Sequence, residues 1–219
     1  MCRTPPTGRA HHHRFAGEVL GVVGDFAHQL VSERRPHPAV PVAVNDGAAT
    51  GDATSAWPGD LVATTPPGAG TLTNYLNILC TKGYLRGGDA LKLLTASGAP
   101  FSATVTTAGG IDSLSVPTGI GALKVYPVTD ADTVSAIFCA THNYVYNTAL
   151  VSTGQPYGTN GFIVVHKGGD AAIFRAGQAV FANPPWATIP VFQTQVGMLP
   201  GDVVGTLGTE NPASVYTQP

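Results

Sequence analysis

Charge is scarce in this chain. Only 11% of its 219 residues are Asp, Glu, Lys or Arg, against about 25% in ordinary soluble domains. The surface must therefore be covered largely by Thr, Ser, Asn and Gly. Such surfaces are common on secreted and cell-surface proteins, so an extracellular or cell-surface location is expected. The net charge of −2 leaves no excess of cations for phosphate neutralisation. Residues 1–35 are slightly basic: Arg3, Arg9, Arg14, Arg34 and Arg35 stand against Glu18, Asp25 and Glu33, a balance of +2 that leaves −4 for the remainder. A basic run without a recognition motif is a solvated tail, and no nucleic-acid partner is expected.

Cysteine is scarce too, and its count of three is odd, which excludes a fully paired disulfide framework. No CxxC pair suggests zinc. Cys80 and Cys139 either pair, if their helix and strand meet, or are two small buried hydrophobes. No uninterrupted apolar run of about 18 residues occurs. The nearest candidate, Phe15 to Val31, is broken by Glu18, Asp25 and His28. The opening MCRTPPTGRAHHHR lacks the charged, apolar and small-residue succession of a secretory signal.

Catalytic and ligand motifs are missing as well. Neither GxGxxG nor GxxxxGK occurs, so Gly109–Gly110 and Gly119–Ile120–Gly121 carry no phosphate-cradling pattern. His142, or His166 with Asp170, has no GxSxG elbow to serve, and His166 is expected to face water at a hairpin end. His11–His12–His13, with His28 and His37, lack the rigid frame that a metal site requires. Asp130 and Asp132 fall short of the six to eight oxygens that Ca²⁺ takes and read as a solvated turn. Neither catalytic, cofactor-binding nor metal-binding residues are expected, and the chain is not expected to be an enzyme.

What remains is architecture. Residues 1–14 carry no apolar period and read as a disordered tail. Residues 15–35 place Val19, Val22, Val23, Phe26 and Leu30 at three- and four-residue spacings on one helical face, stopped by Pro36 and Pro38. Residues 36–70 form a long Pro-, Gly- and Ala-rich loop, anchored by Val40, Val42, Val44, Trp57 and Leu61. Residues 71–219 read as a globular domain of helices and antiparallel sheet.

Within that domain Thr71 suits a helix N-cap, Leu72, Tyr75, Leu76 and Leu79 form a buried stripe, and Gly83 follows Lys82 as a left-handed stop. A second short helix is expected from an Asp89 cap, presenting Leu91 and Leu94 and ending at Gly98. Strands are expected over Phe101–Thr107, Leu123–Val128 and Val134–Thr141, with a turn at Thr129–Asp132. The clearest hairpin joins Gly161–Lys167 to Ala171–Arg175 through Gly168, Gly169 and Asp170. Trp186–Leu207 is expected to add one or two strands.

The phrases NYLNILCTKGYLRGGDALKLLTASG, ALKVYPVTDADTVSAIFCATHNYVYN and GFIVVHKGGDAAIFR, taken in that order over about residues 71–180, resemble type IV pilin-like proteins, in particular a divergent group of type II secretion pseudopilins. The resemblance implies an α+β fold with an N-terminal helix packed on an antiparallel sheet. It implies a non-catalytic structural subunit of a pilus or pseudopilus-type filament, partnered by itself or other pilin-like subunits. Its membrane contact would run only through an N-terminal apolar segment, which this chain lacks: Phe15 and Glu18 stand at the wrong spacing for one. The competing expectation is a secreted β-rich carbohydrate-binding module using Trp57, Trp186, Tyr144, Tyr146 and Tyr157 as sugar platforms. An open, coplanar Trp57 and Trp186 would favour it. The residues expected to carry a structural role are Val22, Phe26 and Leu30, then Leu72, Leu76 and Leu79, then Val125, Phe138 and Val164.

Overall fold

The computed structural model describes residues 57–62, 71–95, 101–154, 156–183 and 185–217. The expected tail at 1–14, the helix at 15–35 with Val22, Phe26 and Leu30, and most of the 36–70 stretch lie outside them. Within that stretch a short helix, α1 (Pro58–Val62), follows Trp57, which is buried. Next come α2 (Leu72–Thr81), α3 (Gly87–Leu94), β1 (Phe101–Ala108), β2 (Ile111–Gly119), β3 (Leu123–Val125), β4 (Ile137–Thr141), β5 (Gly161–His166), β6 (Ala171–Arg175) and α4 (Ile189–Gln195). The fold is α+β, and the described residues form two antiparallel sheets: a β1-β2 hairpin and a four-stranded meander in the order β3-β4-β5-β6.

Helix α2 begins as its sequence predicts. The Thr71 side chain accepts a hydrogen bond from the Asn74 N–H at 3.2 Å, and Leu72, Tyr75, Leu76 and Leu79 are all buried. Gly83, at φ +77°, follows the Lys82 cap, a turn that a side chain would strain. Leu85 then folds back into the core.

Helix α3 corrects the expectation. Its N-cap is Arg86, with no capping side-chain bond of its own, and Asp89 lies inside the first turn, 3.0 Å from Lys92. The Gly87 N–H donates instead to the Asp112 carboxylate of β2 at 2.8 Å. The helix ends at Leu94, before Gly98, and its buried residues are Gly87, Ala90, Leu93 and Leu94; Leu91 is only half-buried.

Strand β2 was not expected. Gly109 and Gly110, at φ +60° and +82°, make the tight turn that pairs Ala108 with Ile111. Asn77 of α2 ties the hairpin down through the Leu114 backbone. The expected strands at 123–128 and 134–141 are shorter than predicted, while the Gly161–Arg175 hairpin stands as read. The Trp186–Leu207 stretch forms α4 and loops in place of strands. Thr188 caps α4 and Pro190 sits in its first turn, leaving only the isolated bridge of Met198 to Ala136.

Both faces of the four-stranded sheet are covered. On one face, Leu123, Val125, Phe138, Cys139 and Val165 share a core with Trp57, α2 and α3. On the other, Tyr126, Ile137, Ala140, Phe162, Val164 and Phe174 share a core with Phe192 and Val196 of the α4 region, Leu199 and Val215. A register shift between Ile137 and Cys139 lets the adjacent Phe138 and Cys139 join the same core. Val125, Phe138 and Val164, expected as packing residues, are 0%, 1% and 0% exposed. At the outer edge of β3, Val125 exchanges two backbone hydrogen bonds with Tyr216, at 3.0 and 2.8 Å, so the C-terminal segment adds one rung to the sheet.

Candidate functional site

Alternation along β3 sends Leu123 and Val125 toward α2, and Lys124 to the opposite face with Tyr126, the next residue along. A lysine in that position has no route to water, and its side chain is 3% exposed. Glu210, from the C-terminal segment, meets it with a side chain 5% exposed: Oε1 lies against Lys124 Nζ. Glu210 Oε2 accepts from the Tyr126 hydroxyl at 2.7 Å and from the Tyr146 N–H at 2.9 Å. Lys124 Nζ also lies 5.2 Å from the Tyr126 ring centroid.

The electrostatics follow from this burial. Loss of solvation pulls the Lys124 ammonium down from the usual lysine range, against the opposing pull of Glu210. Burial, and then the Glu210 charge, push the Tyr126 phenol well up. His142, one residue past β4, is held below the ordinary histidine range by burial and then by Lys124, with Glu210 opposing. Its Nδ1 is buried and has no hydrogen-bond partner among the described residues. Four groups of acid–base character thus share one water-poor face of β3.

A second polar pair holds the β5-β6 turn. His166 is 4% exposed rather than facing water. Its Nδ1 lies 2.5 Å from Asp170 Oδ2, and its Nε2 3.2 Å from the Val196 carbonyl oxygen. Both ring nitrogens are occupied, which leaves none to take a proton from a nucleophilic hydroxyl.

Of the remaining candidates, His11–His12–His13, His28 and His37 lie outside the described residues, and the others serve the fold. Asp132 Oδ2 accepts from the Thr129 N–H and hydroxyl at 2.7 and 2.9 Å, and its Oδ1 from the Gly201 N–H at 2.8 Å. Asp130 is exposed at the same turn. Cys80 and Cys139 are both buried free thiols, and burial pushes Cys139 up to about 12. No group of three or more His, Cys, Asp and Glu among the described residues could hold a metal. No helix among them is long and apolar enough to cross a membrane.

The five aromatic candidates, all among the described residues, do not make an open platform. Trp57 packs edge-on against Phe138, with ring centroids 5.6 Å apart. Tyr144 and Tyr146 are buried, and Tyr157 is half-buried. Trp186 is half-buried against Phe174 and Phe192.

Sequence reading missed the Lys124–Glu210 cluster. The one local signal was a cation set between Leu123 and Val125 in a strand otherwise apolar on both faces. Glu210, 86 positions away, offered none. In comparisons with known proteins, no family model, no curated protein and no solved structure matches this chain.

Proposed function

We propose that this chain is a non-catalytic structural subunit of an extracellular filament or secretion assembly of the pilus or pseudopilus type. The observation that supports this most is where the residues behind the resemblance are used. In NYLNILCTKGYL, Tyr75, Leu76, Leu79, Cys80 and Leu85 are buried, and in IFCATHNYVYN so are Ile137, Phe138, Cys139, Tyr144 and Tyr146. These phrases are devoted to packing helices on an antiparallel sheet, as a subunit with a mechanical role requires. Buried polar side chains likewise secure backbone. Gln193, 1% exposed, donates to the Val203 and Thr206 carbonyls and accepts from the Gly205 N–H. Asn143 donates to the Gly158 and Gly161 carbonyls. The sparsely charged composition is in keeping with an extracellular surface.

The test is immunogold electron microscopy of cells that produce the protein, using antibody raised against the full chain. Label on filaments or envelope-spanning assemblies is expected. Label confined to the cytoplasm, or spread as a monomer in the medium, would overturn the reading.

A further inference from the structure

We propose that Lys124 and Glu210 join covalently, forming an intramolecular amide that staples β3 to the C-terminal segment. This rests on the geometry around Glu210 and stands whether or not the chain forms filaments. The amine and the carboxyl are in contact, both nearly inaccessible to water. Nothing else bonds to Oε1 among the described residues, whereas Oε2 receives two donors, the Tyr126 hydroxyl and the Tyr146 N–H. That asymmetry suits acyl transfer: one oxygen is held where negative charge would gather, and the other faces the amine as the leaving group.

The step balances without any outside reactant. One proton passes from the Lys124 ammonium to Glu210 Oε1, giving a neutral amine and a carboxylic acid. The Nζ lone pair adds to Cδ, and the charge that develops on Oε2 is met by its two donors. Nζ then gives up a second proton to Oε1, the Cδ–Oε1 bond breaks, and water leaves. The product keeps one hydrogen on Nζ and a carbonyl at Oε2.

No outside base is needed for that second transfer, because Nζ and Oε1 are in contact and the proton passes between them directly. Desolvation favours the product. A buried ion pair keeps two charges out of water at considerable cost, and the amide removes both. It also expels water from a site that solvates it poorly.

Peptide mapping of the purified full chain decides the matter, independently of any processing at the N-terminus. The expected result is a branched tryptic peptide joining the sequences around Lys124 and Glu210, one water lighter than its two parts, with no cleavage after Lys124. Separate peptides at full mass, cleaved at Lys124, would overturn the proposal. Lys124→Arg keeps the positive charge but cannot form the link, so it should give no branched peptide and keep its full mass. A simple ion pair would leave the wild type unbranched at full mass as well.

Discussion

Asn77 closes a two-pronged clamp on the backbone of Leu114, its side-chain oxygen accepting from the Leu114 N–H at 2.6 Å and its amide nitrogen donating to the carbonyl at 2.9 Å. A helix side chain thus plays the part of a neighbouring strand for β2, whose Leu114 is 3% exposed. Asn77→Ala should cost about 1–3 kcal/mol, because it leaves a buried N–H and C=O without partners. Urea denaturation of the full chain measures this. Asn77→Asp keeps the acceptor but loses the donor and should also destabilise.

The contrast between α2 and α3 shows what was legible in the sequence. Helix α2 carries its own instructions: a Thr71 cap, a stripe at helical spacing and a stop at Gly83. Helix α3 borrows its cap from Asp112, 25 positions away, so local reading fixed on Asp89. Gly87 can sit there because it lacks a side chain; a Cβ would come within 2.4 Å of Val105 Cγ1. Helix α4 was mistaken for strand because Ile189, Val191 and Phe192 favour extended backbone locally. Its Thr188 cap and early Pro190 were the better guides. The Glu210 cluster was illegible because its parts meet only through tertiary packing.

Leu76 is 1% exposed in the stripe that faces the sheet core. Leu76→Ala should cost about 2–5 kcal/mol through lost contacts and a residual cavity. Leu76→Asp should unfold the domain, since it sets an unpaired charge in the same place. Circular dichroism melts of the two variants should separate them. A Leu76→Asp melting temperature equal to that of the wild type would show that the stripe is not core.

Two glycines with positive φ should respond differently to alanine. Gly109, at φ +60°, has no neighbour within 4 Å of an added Cβ, so Gly109→Ala meets only backbone strain, about 1–2 kcal/mol. At Gly197, φ +114°, a Cβ would stand 2.4 Å from Ile137 Cγ1 and 3.1 Å from the His166 ring. Strain and overpacking then add, and Gly197→Ala should cost about 2–5 kcal/mol. Parallel thermal melts test the ranking; equal losses would contradict it.

The buried thiol of Cys139 is fully enclosed and pushed up to about 12 by burial. Thiolate is the reactive form, so Cys139 should resist labelling in the folded protein at neutral pH and react promptly in guanidinium. Cys80, 5% exposed and raised by burial and then by Asp112, should behave similarly. Peptide mapping after a timed pulse of iodoacetamide identifies which thiols react. Native labelling of Cys139 faster than global unfolding would reveal local opening of β4.

Asp112 gives the fold a pH dependence of definite sign. The Thr107 hydroxyl and then the Gly87 N–H hold its carboxyl below the ordinary carboxylate range, with Arg86 adding a smaller pull in the same direction. The folded state therefore releases this proton more readily than the unfolded chain does. The stabilisation is complete above the unfolded value of about 3.9 and disappears as pH falls through the lower folded value. Asp112→Ala should melt below the wild type at pH 6, and the gap should narrow as the pH is lowered from about 4 toward 2. A gap that stays constant over that range would mean that the loss comes from packing, and that the carboxylate charge at the start of α3 contributes nothing.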